Sequence, residues 1–149
     1  MAFRGRFDYS IDEKGRVNIP SKFRKLLLPE AEDTFVVSRA PGGCLRAFPK
    51  DEWERYEKTL ASMPVSRESD KYQRMLQNNL SDSKLDKQGR VSLTTQQMEI
   101  AGIVKDVSIV GRVNYLELWD TRRFEESMAG EEYYEVYYKT HPNRNTNLD

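Results

Sequence analysis

One cysteine, Cys44, and one histidine, His141, occur in 149 residues. A single cysteine excludes an internal disulfide and any multi-cysteine zinc site. A catalytic cysteine needs a base to activate it, and the lone histidine sits in a polar tail, so Cys44 beside Leu45 reads as a small core residue. Long apolar runs are missing too: none approaches the roughly 20 residues that a membrane-crossing helix needs. The opening Met1-Ala2-Phe3-Arg4-Gly5-Arg6 lacks the apolar core of a signal peptide. With 38% hydrophobic and 32% charged residues, the expectation is a soluble, globular, cytoplasmic chain with no membrane partner. There is no glycine-rich phosphate loop, no histidine beside a nucleophile and no paired metal ligands. No enzyme activity, cofactor, metal or small-molecule substrate is therefore expected.

Net charge is also absent, with 24 Lys and Arg against 24 Asp and Glu, which at first argues against a nucleic-acid partner. Its distribution argues otherwise. Residues 1–75 carry 15 basic and 12 acidic side chains, a balance of +3, while residues 76–149 carry 9 and 12, a balance of −3. Seven basic residues (Arg4, Arg6, Lys14, Arg16, Lys22, Arg24, Lys25) fall in the first 25, against three acidic ones. A local basic face binds phosphate even when the rest of the surface is acidic; a solvated surface of mixed charge is the plainer account.

What is present is a repeat. Asp12-Glu13-Lys14-Gly15-Arg16-Val17-Asn18-Ile19 returns as Asp86-Lys87-Gln88-Gly89-Arg90-Val91-Ser92-Leu93, at an offset of 86 − 12 = 74 residues. Phe7, Tyr9 and Ile11 before the first copy, and Val17 and Ile19 after it, alternate with polar residues as half-buried strands do. Each copy therefore reads as a hairpin, with Asp bonding the backbone ahead of it and Gly accepting a positive φ. Asp and Arg then stand across the turn, close enough to pair.

The remaining elements follow the same scheme twice. Ser21 is a candidate N-cap for a short helix carrying Phe23, Leu26 and Leu27, ended by Pro29. Thr34–Ser38 and Cys44–Phe48 form strands around the turn Pro41-Gly42-Gly43, and Pro49 opens a second helix whose face holds Trp53, Tyr56 and Leu60. A third helix is expected from about Ser66 to Leu80, with Tyr72, Met75, Leu76 and Leu80 as a core-facing stripe. In the second half Thr94 and Gln97 have capping-box spacing and Gly102 marks the helix stop. Val107–Val110 and Tyr115–Trp119 answer the earlier strands, and Phe124 answers Trp53. Glu131–Tyr138 reads equally as helix or strand, and a disordered tail is expected from Lys139 onward. Trp53, Trp119 and Phe124 add more aromatic surface than a core of about 70 residues easily covers, which predicts a homo-oligomer above a dimer.

Phe3-Arg4-Gly5, Asp12 to Pro20, Gly43-Cys44-Leu45 and Trp53-Glu54, then Leu85 to Arg90, Val110-Gly111 and Glu117-Leu118-Trp119-Asp120, together resemble the MraZ family within the SpoVT/AbrB superfamily. The likeness covers residues 3 to about 126; one Asp-x-x-x-Arg is a weak signal, and two in this order are specific. It implies an α+β fold: two tandem SpoVT-AbrB-like swapped-hairpin units forming a small β-barrel core with peripheral helices. The units are expected at residues 3–65 and 81–128, with a linking helix at 66–80 and a C-terminal segment at 129–149. It further implies a nucleoid-associated bacterial transcription regulator at the promoter of the division and cell-wall gene cluster. Such a protein binds direct repeats in double-stranded DNA as a ring-shaped homo-oligomer.

Within that reading Arg16, oriented by Asp12, is the candidate for a specific DNA contact. Lys14, Arg4, Arg6, Lys22 and Arg24 are candidate phosphate contacts, and Gly15, Asp86 and Gly89 shape the two turns. Arg90 contacts either DNA or a neighbouring subunit. Lys22, Arg24 and Lys25 have no basic counterparts after the second copy, which makes that copy the weaker candidate. On the residues alone, Asp12–Arg16 and Asp86–Arg90 read first as turn-stabilising ion pairs, and it is the resemblance that turns the reading of Arg16 toward DNA. A protein-binding module of antitoxin type is the alternative function, with the tyrosine-rich Tyr133–Tyr138 stretch as its candidate contact.

Overall fold

The computed structural model describes residues 2–142. It is an α+β protein with eight strands, β1 (Arg6–Ser10), β2 (Arg16–Asn18), β3 (Thr34–Arg39), β4 (Leu45–Pro49), β5 (Ser81–Lys84), β6 (Arg90–Ser92), β7 (Asp106–Gly111) and β8 (Leu116–Asp120). Six helices accompany them: α1 (Ser21–Arg24), α2 (Lys50–Ala61), α3 (Arg67–Asn78), α4 (Thr95–Ala101), α5 (Thr121–Ser127) and α6 (Tyr133–Thr140). Among the described residues no helix is long and apolar enough to cross a membrane.

Local chemistry explains most of the boundaries. Ser66 caps α3 through Ser69, and Thr94 and Gln97 form the reciprocal capping box of α4, which Gly102 ends at φ +66°. Asp51 and Glu52 occupy the first turn of α2, where acids meet the positive end of the helix dipole. Ser21 is the first residue of α1 and not its cap; Pro20 holds that position without a side-chain bond. The segment that reads as either helix or strand is helix α6, which takes in Lys139 and Thr140. Those two residues are thus ordered, and the rest of the tail expected to be disordered, from residue 143, lies outside the described residues.

The two turns form as expected, but the strands that flank them do not pair with each other. Gly15 N–H donates to the Asp12 carbonyl and Asp12 N–H to that of Arg16, both at 3.0 Å, and the second copy repeats both bonds from Gly89 and Asp86. Beyond the turn the chain diverges. β1 pairs with β7, from Arg6 opposite Val110 to Ser10 opposite Asp106, and β5 pairs with β3. β2 pairs with β6, with Val17 opposite Val91. Each half thus lends its first strand to the other half's β-hairpin, because the other copy offers a longer apolar partner than the three-residue strand across the turn.

All pairings are antiparallel, in one six-stranded sheet ordered β1-β7-β8-β4-β3-β5 and a separate ribbon β2-β6. The closed barrel expected from the resemblance is not found among the described residues. β2 and β6 form a strand ladder with each other and with no strand of the larger sheet, although Ser92 N–H donates to Ser83 Oγ of β5 at 2.9 Å, so β1 and β5 stay as the two edges of the larger sheet.

Burial divides the sheet's faces. Phe35, Val37, Ile109, Leu116 and Leu118 join Val17, Ile19, Val91, Leu93 and Phe23 in the main core, beneath the ribbon. On the opposite face Val36 and Phe48 pack with Trp53, Leu60 and Leu76, while Cys44 packs with Trp119, Ala40 and Phe124. Gln97 is fully buried, and its amide donates to Asn79 O and Ser81 Oγ, both at 2.9 Å, tying α4 to the end of the linking helix. Burial pushes the Cys44 thiol up to about 12, as suits a core residue.

Two expectations about exposure are corrected. Trp53 and Trp119 are covered within the single chain, at 3% and 7% exposure, because α2 and α5 fold back onto the sheet. The α3 stripe is only half core: Leu76 is buried, whereas Tyr72 and Met75 are exposed.

Candidate nucleic-acid interface

The period of two in β2 and β6 sets the geometry. Val17 and Val91 point into the core with no exposure, so Arg16, Asn18, Arg90 and Ser92 all point outward from the ribbon. Arg16 lies opposite Ser92, and Asn18 opposite Arg90. The two Asp-x-x-x-Arg turns end the ribbon on either side, with Glu13, Lys14, Lys87 and Gln88 exposed at their tips.

Each aspartate does two jobs. Asp12 Oδ1 accepts the backbone N–H of Lys14 (2.9 Å) and of Arg16 (2.8 Å), while Oδ2 accepts Arg16 Nε at 2.6 Å. Asp86 repeats the pattern with Gln88 and Arg90, and Arg90 Nε donates to Oδ2 at 2.8 Å. The backbone N–H of the arginine, opposed by burial and reinforced by the guanidinium, holds both carboxyls below their ordinary value of 3.8. Besides the backbone bonds from Ile19 N–H to Gly89 O (3.0 Å) and from Leu93 N–H to Gly15 O (2.8 Å), a side-chain bond joins the copies: Arg90 Nη1 reaches Asp12 Oδ2 at 3.5 Å. The guanidinium planes are thus fixed through Nε.

Conformation requires both turn glycines, and at Gly15 the neighbouring backbone leaves no space for a side chain either. Gly15 and Gly89 have φ +77°. A Cβ on Gly15 would stand 2.8 Å from the Leu93 carbonyl, and one on Gly89 would stand 2.5 Å from the Arg24 guanidinium carbon.

The other candidates separate. Lys14 is exposed at the first turn, and Lys22 is exposed on α1. Arg24, counted with the first copy by its place in the chain, lies against Gly89 of the second, its Nε donating to Ile19 O at 3.0 Å. The crosswise pairing of the halves moves it there, and Lys87 adds a second basic group at the same turn. Basic flanking is consequently shared between the turns. Arg4 and Arg6 are not brought to the ribbon. β1 starts at Arg6 and runs toward the Asp12 turn, which puts Arg6 roughly 20 Å away at about 3.4 Å per residue. Arg6 is bound by Asp8 (3.0 Å) and Glu125 (2.6 Å) and sits 4.9 Å above the Phe124 ring. Asn18, Ser92 and Lys87 are the residues that sequence reasoning passed over. The alternation that places Arg16 outward places Asn18 outward as well, and this was the available signal.

A duplicated Asp-x-x-x-Arg turn, carried on a ribbon to which both halves contribute, defines a class of interlocked tandem-repeat α+β proteins. The family model described as "MraZ protein, putative antitoxin-like" matches residues 2–79 and again 80–135. The chain is 34% identical over 127 residues to the transcriptional regulator MraZ of Verminephrobacter eiseniae (strain EF01-2), covering 85% of this chain and 88% of that protein. It is 36% identical over 125 residues to that of Lactobacillus johnsonii (strain CNCM I-12250 / La1 / NCC 533), covering 83% and 85%. To that of Halothermothrix orenii (strain H 168 / OCM 544 / DSM 9562) it is 37% identical over 123 residues, covering 82% and 83%. The chain belongs to the MraZ family, and its relatives' names support a role in transcription regulation.

Proposed function

We propose that the chain is a sequence-specific DNA-binding transcriptional regulator that presents the β2–β6 ribbon to double-stranded DNA. The observation that carries this is the pair of outward arginines, Arg16 and Arg90, each fixed through Nε by an aspartate on one short ribbon. A two-stranded ribbon fits a major groove about 12 Å wide, and an arginine held in one plane matches the paired acceptors of guanine. Lys14, Lys87, Lys22 and Arg24 supply phosphate contacts, which position without specifying. In this reading the two halves are swapped-hairpin units, residues 3–65 and 81–128, joined by the helix at 66–80. Several copies form a ring that reads direct repeats at the promoter of the division and cell-wall gene cluster, in the nucleoid of the cytoplasm.

Binding to the chain's own upstream DNA, measured across salt concentrations, tests the reading. Four to six phosphate contacts per bound copy predict a log–log slope of about −4 to −5, since each contact contributes roughly −0.9. Affinity for that DNA no greater than for an unrelated duplex would overturn it.

An antitoxin-type protein-binding role is favoured by one observation: α6 exposes Tyr133, Tyr134 and Tyr138 at 83%, 60% and 52%. Removing residues 129–149 would abolish capture of such a partner and leave DNA binding intact.

A further inference from the structure

The ribbon is symmetric in its arginines and asymmetric in the residues beside them. A two-fold rotation through the Val17–Val91 pair exchanges Arg16 with Arg90, and it exchanges Asn18 with Ser92. Each arginine keeps the same Nε–aspartate bond, at 2.6 and 2.8 Å, so the arginines alone present one chemistry in both directions. A surface of that kind reads a site and its inverse equally.

Asn18 and Ser92 remove that equivalence. Both are exposed on the outward face, and neither side chain has a hydrogen-bond partner among the described residues. Asn18 stands directly across from Arg90, at the roughly 5 Å separation of cross-strand neighbours. An asparagine amide carries a donor and an acceptor side by side and pairs with the N6 and N7 edge of adenine, whereas a serine hydroxyl makes one contact and accepts either edge. One end of the ribbon therefore carries arginine with a selective partner, and the other carries arginine with a permissive one. The turn tips also differ, Glu13-Lys14 against Lys87-Gln88, but these reach phosphates and carry no base information.

We propose that Asn18 and Ser92 are the specificity-determining pair that gives each protomer's ribbon a direction on DNA, with Asn18 selecting an adenine next to the guanine taken by Arg90. One protomer then reads one asymmetric site, and successive protomers accept successive sites only in the same orientation. This rests on the ribbon being the DNA-contacting surface.

The test compares the wild-type protein with Asn18→Ser and Ser92→Asn, each of which makes the ribbon's outward face two-fold symmetric. Both positions are exposed, so the fold tolerates them, and melting curves verify it. Probes carry the selected site either head to tail or with one copy inverted. The wild type favours the head-to-tail probe by about tenfold or more. Either symmetrised variant binds both probes within about twofold, and Asn18→Ser also loses the adenine preference in selection from random DNA. A variant that keeps the full wild-type preference for one orientation overturns the proposal. The double variant Arg16→Ala/Arg90→Ala separates the two readings: if it still binds as the wild type does, the ribbon is not the interface. If it loses binding while the symmetrised variants keep their orientation preference, the ribbon reads DNA and its direction comes from elsewhere.

Discussion

Arg90 holds more of the motif together than Arg16 does. Its Nε bonds Asp86 and its Nη1 reaches across to Asp12, whereas Arg16 bonds the aspartate of its own turn. Replacing either by alanine is expected to weaken DNA binding by roughly 5- to 150-fold, the discrimination of one bidentate arginine. Arg90→Ala should also lower the melting temperature more than Arg16→Ala, because it removes a side-chain bond between the copies in addition to the bond within its own turn. Equal melting temperatures for the two variants would refute that difference. The aspartates give a pH signature. Their carboxyls titrate below 3.8 when folded, so the stability they add is complete above the unfolded value. It is lost as pH falls from 3.8 through the lowered folded values. The melting gap between wild type and an Asp12→Asn/Asp86→Asn variant should stay constant from pH 7 to 5 and close as pH drops below 4. A gap that persists at pH 2 would mean the carboxylates act through something other than their charge.

At the scale of elements, the exchange of β1 and β5 makes the two repeat units dependent on each other. A fragment ending at residue 65 keeps β3 and β4 but leaves β1 without β7 and β2 without β6. Val17 then loses the cover of Val91, and burial of one such side chain is worth about 1.5–3 kcal/mol. Neither residues 1–65 nor residues 66–149 is expected to give a folded monomer alone, whereas mixing the two should restore the native circular dichroism. A cooperative melting transition from the first fragment as a monomer would show that the units fold independently. The linking helix α3 stays with the first half through the Tyr56–Tyr72 hydroxyl bond of 2.7 Å and the Gln73 amide bond to Leu60 O.

For the whole molecule, the ribbon is small, and under the proposed function its specificity comes from repetition around the ring. A few phosphate contacts alone give salt-sensitive binding of roughly 10⁻⁴ to 10⁻⁶ M. Identical ribbons at fixed spacing make each later contact intramolecular and raise avidity by about 10² to 10⁴. DNA with three repeats is therefore expected to bind far more tightly than DNA with one. Shifting the spacing by half a helical turn, which carries the next copy to the far side of the duplex, should abolish that gain. Affinity unchanged by the shift would show that the ribbons do not act as a rigid array, and a monomer mass by light scattering would remove the array altogether.

The sequence by itself determined the repeat, the turn chemistry and the family. Asp, Gly and Arg at fixed spacing act over five residues, through a carboxylate bonding nearby N–H groups and a glycine at positive φ. Such interactions are local and need no knowledge of the fold, and the capping pair Thr94–Gln97 was legible for the same reason. Which strand each β-strand joined was not local. The alternation of Phe7, Tyr9 and Ile11 predicts a strand with one buried face, yet it is equally satisfied by β2 across the turn or by β7, where Asp8 faces Ser108, 108 − 8 = 100 residues further on. Only packing chose between them. That choice placed Arg24 beside Gly89, withdrew Arg6 to Glu125 and brought Asn18 opposite Arg90. The candidate residues were legible as chemical types. Their grouping into one ribbon, and the removal of Arg4 and Arg6 from it, followed from long-range strand exchange, which nearest-neighbour spacing does not encode.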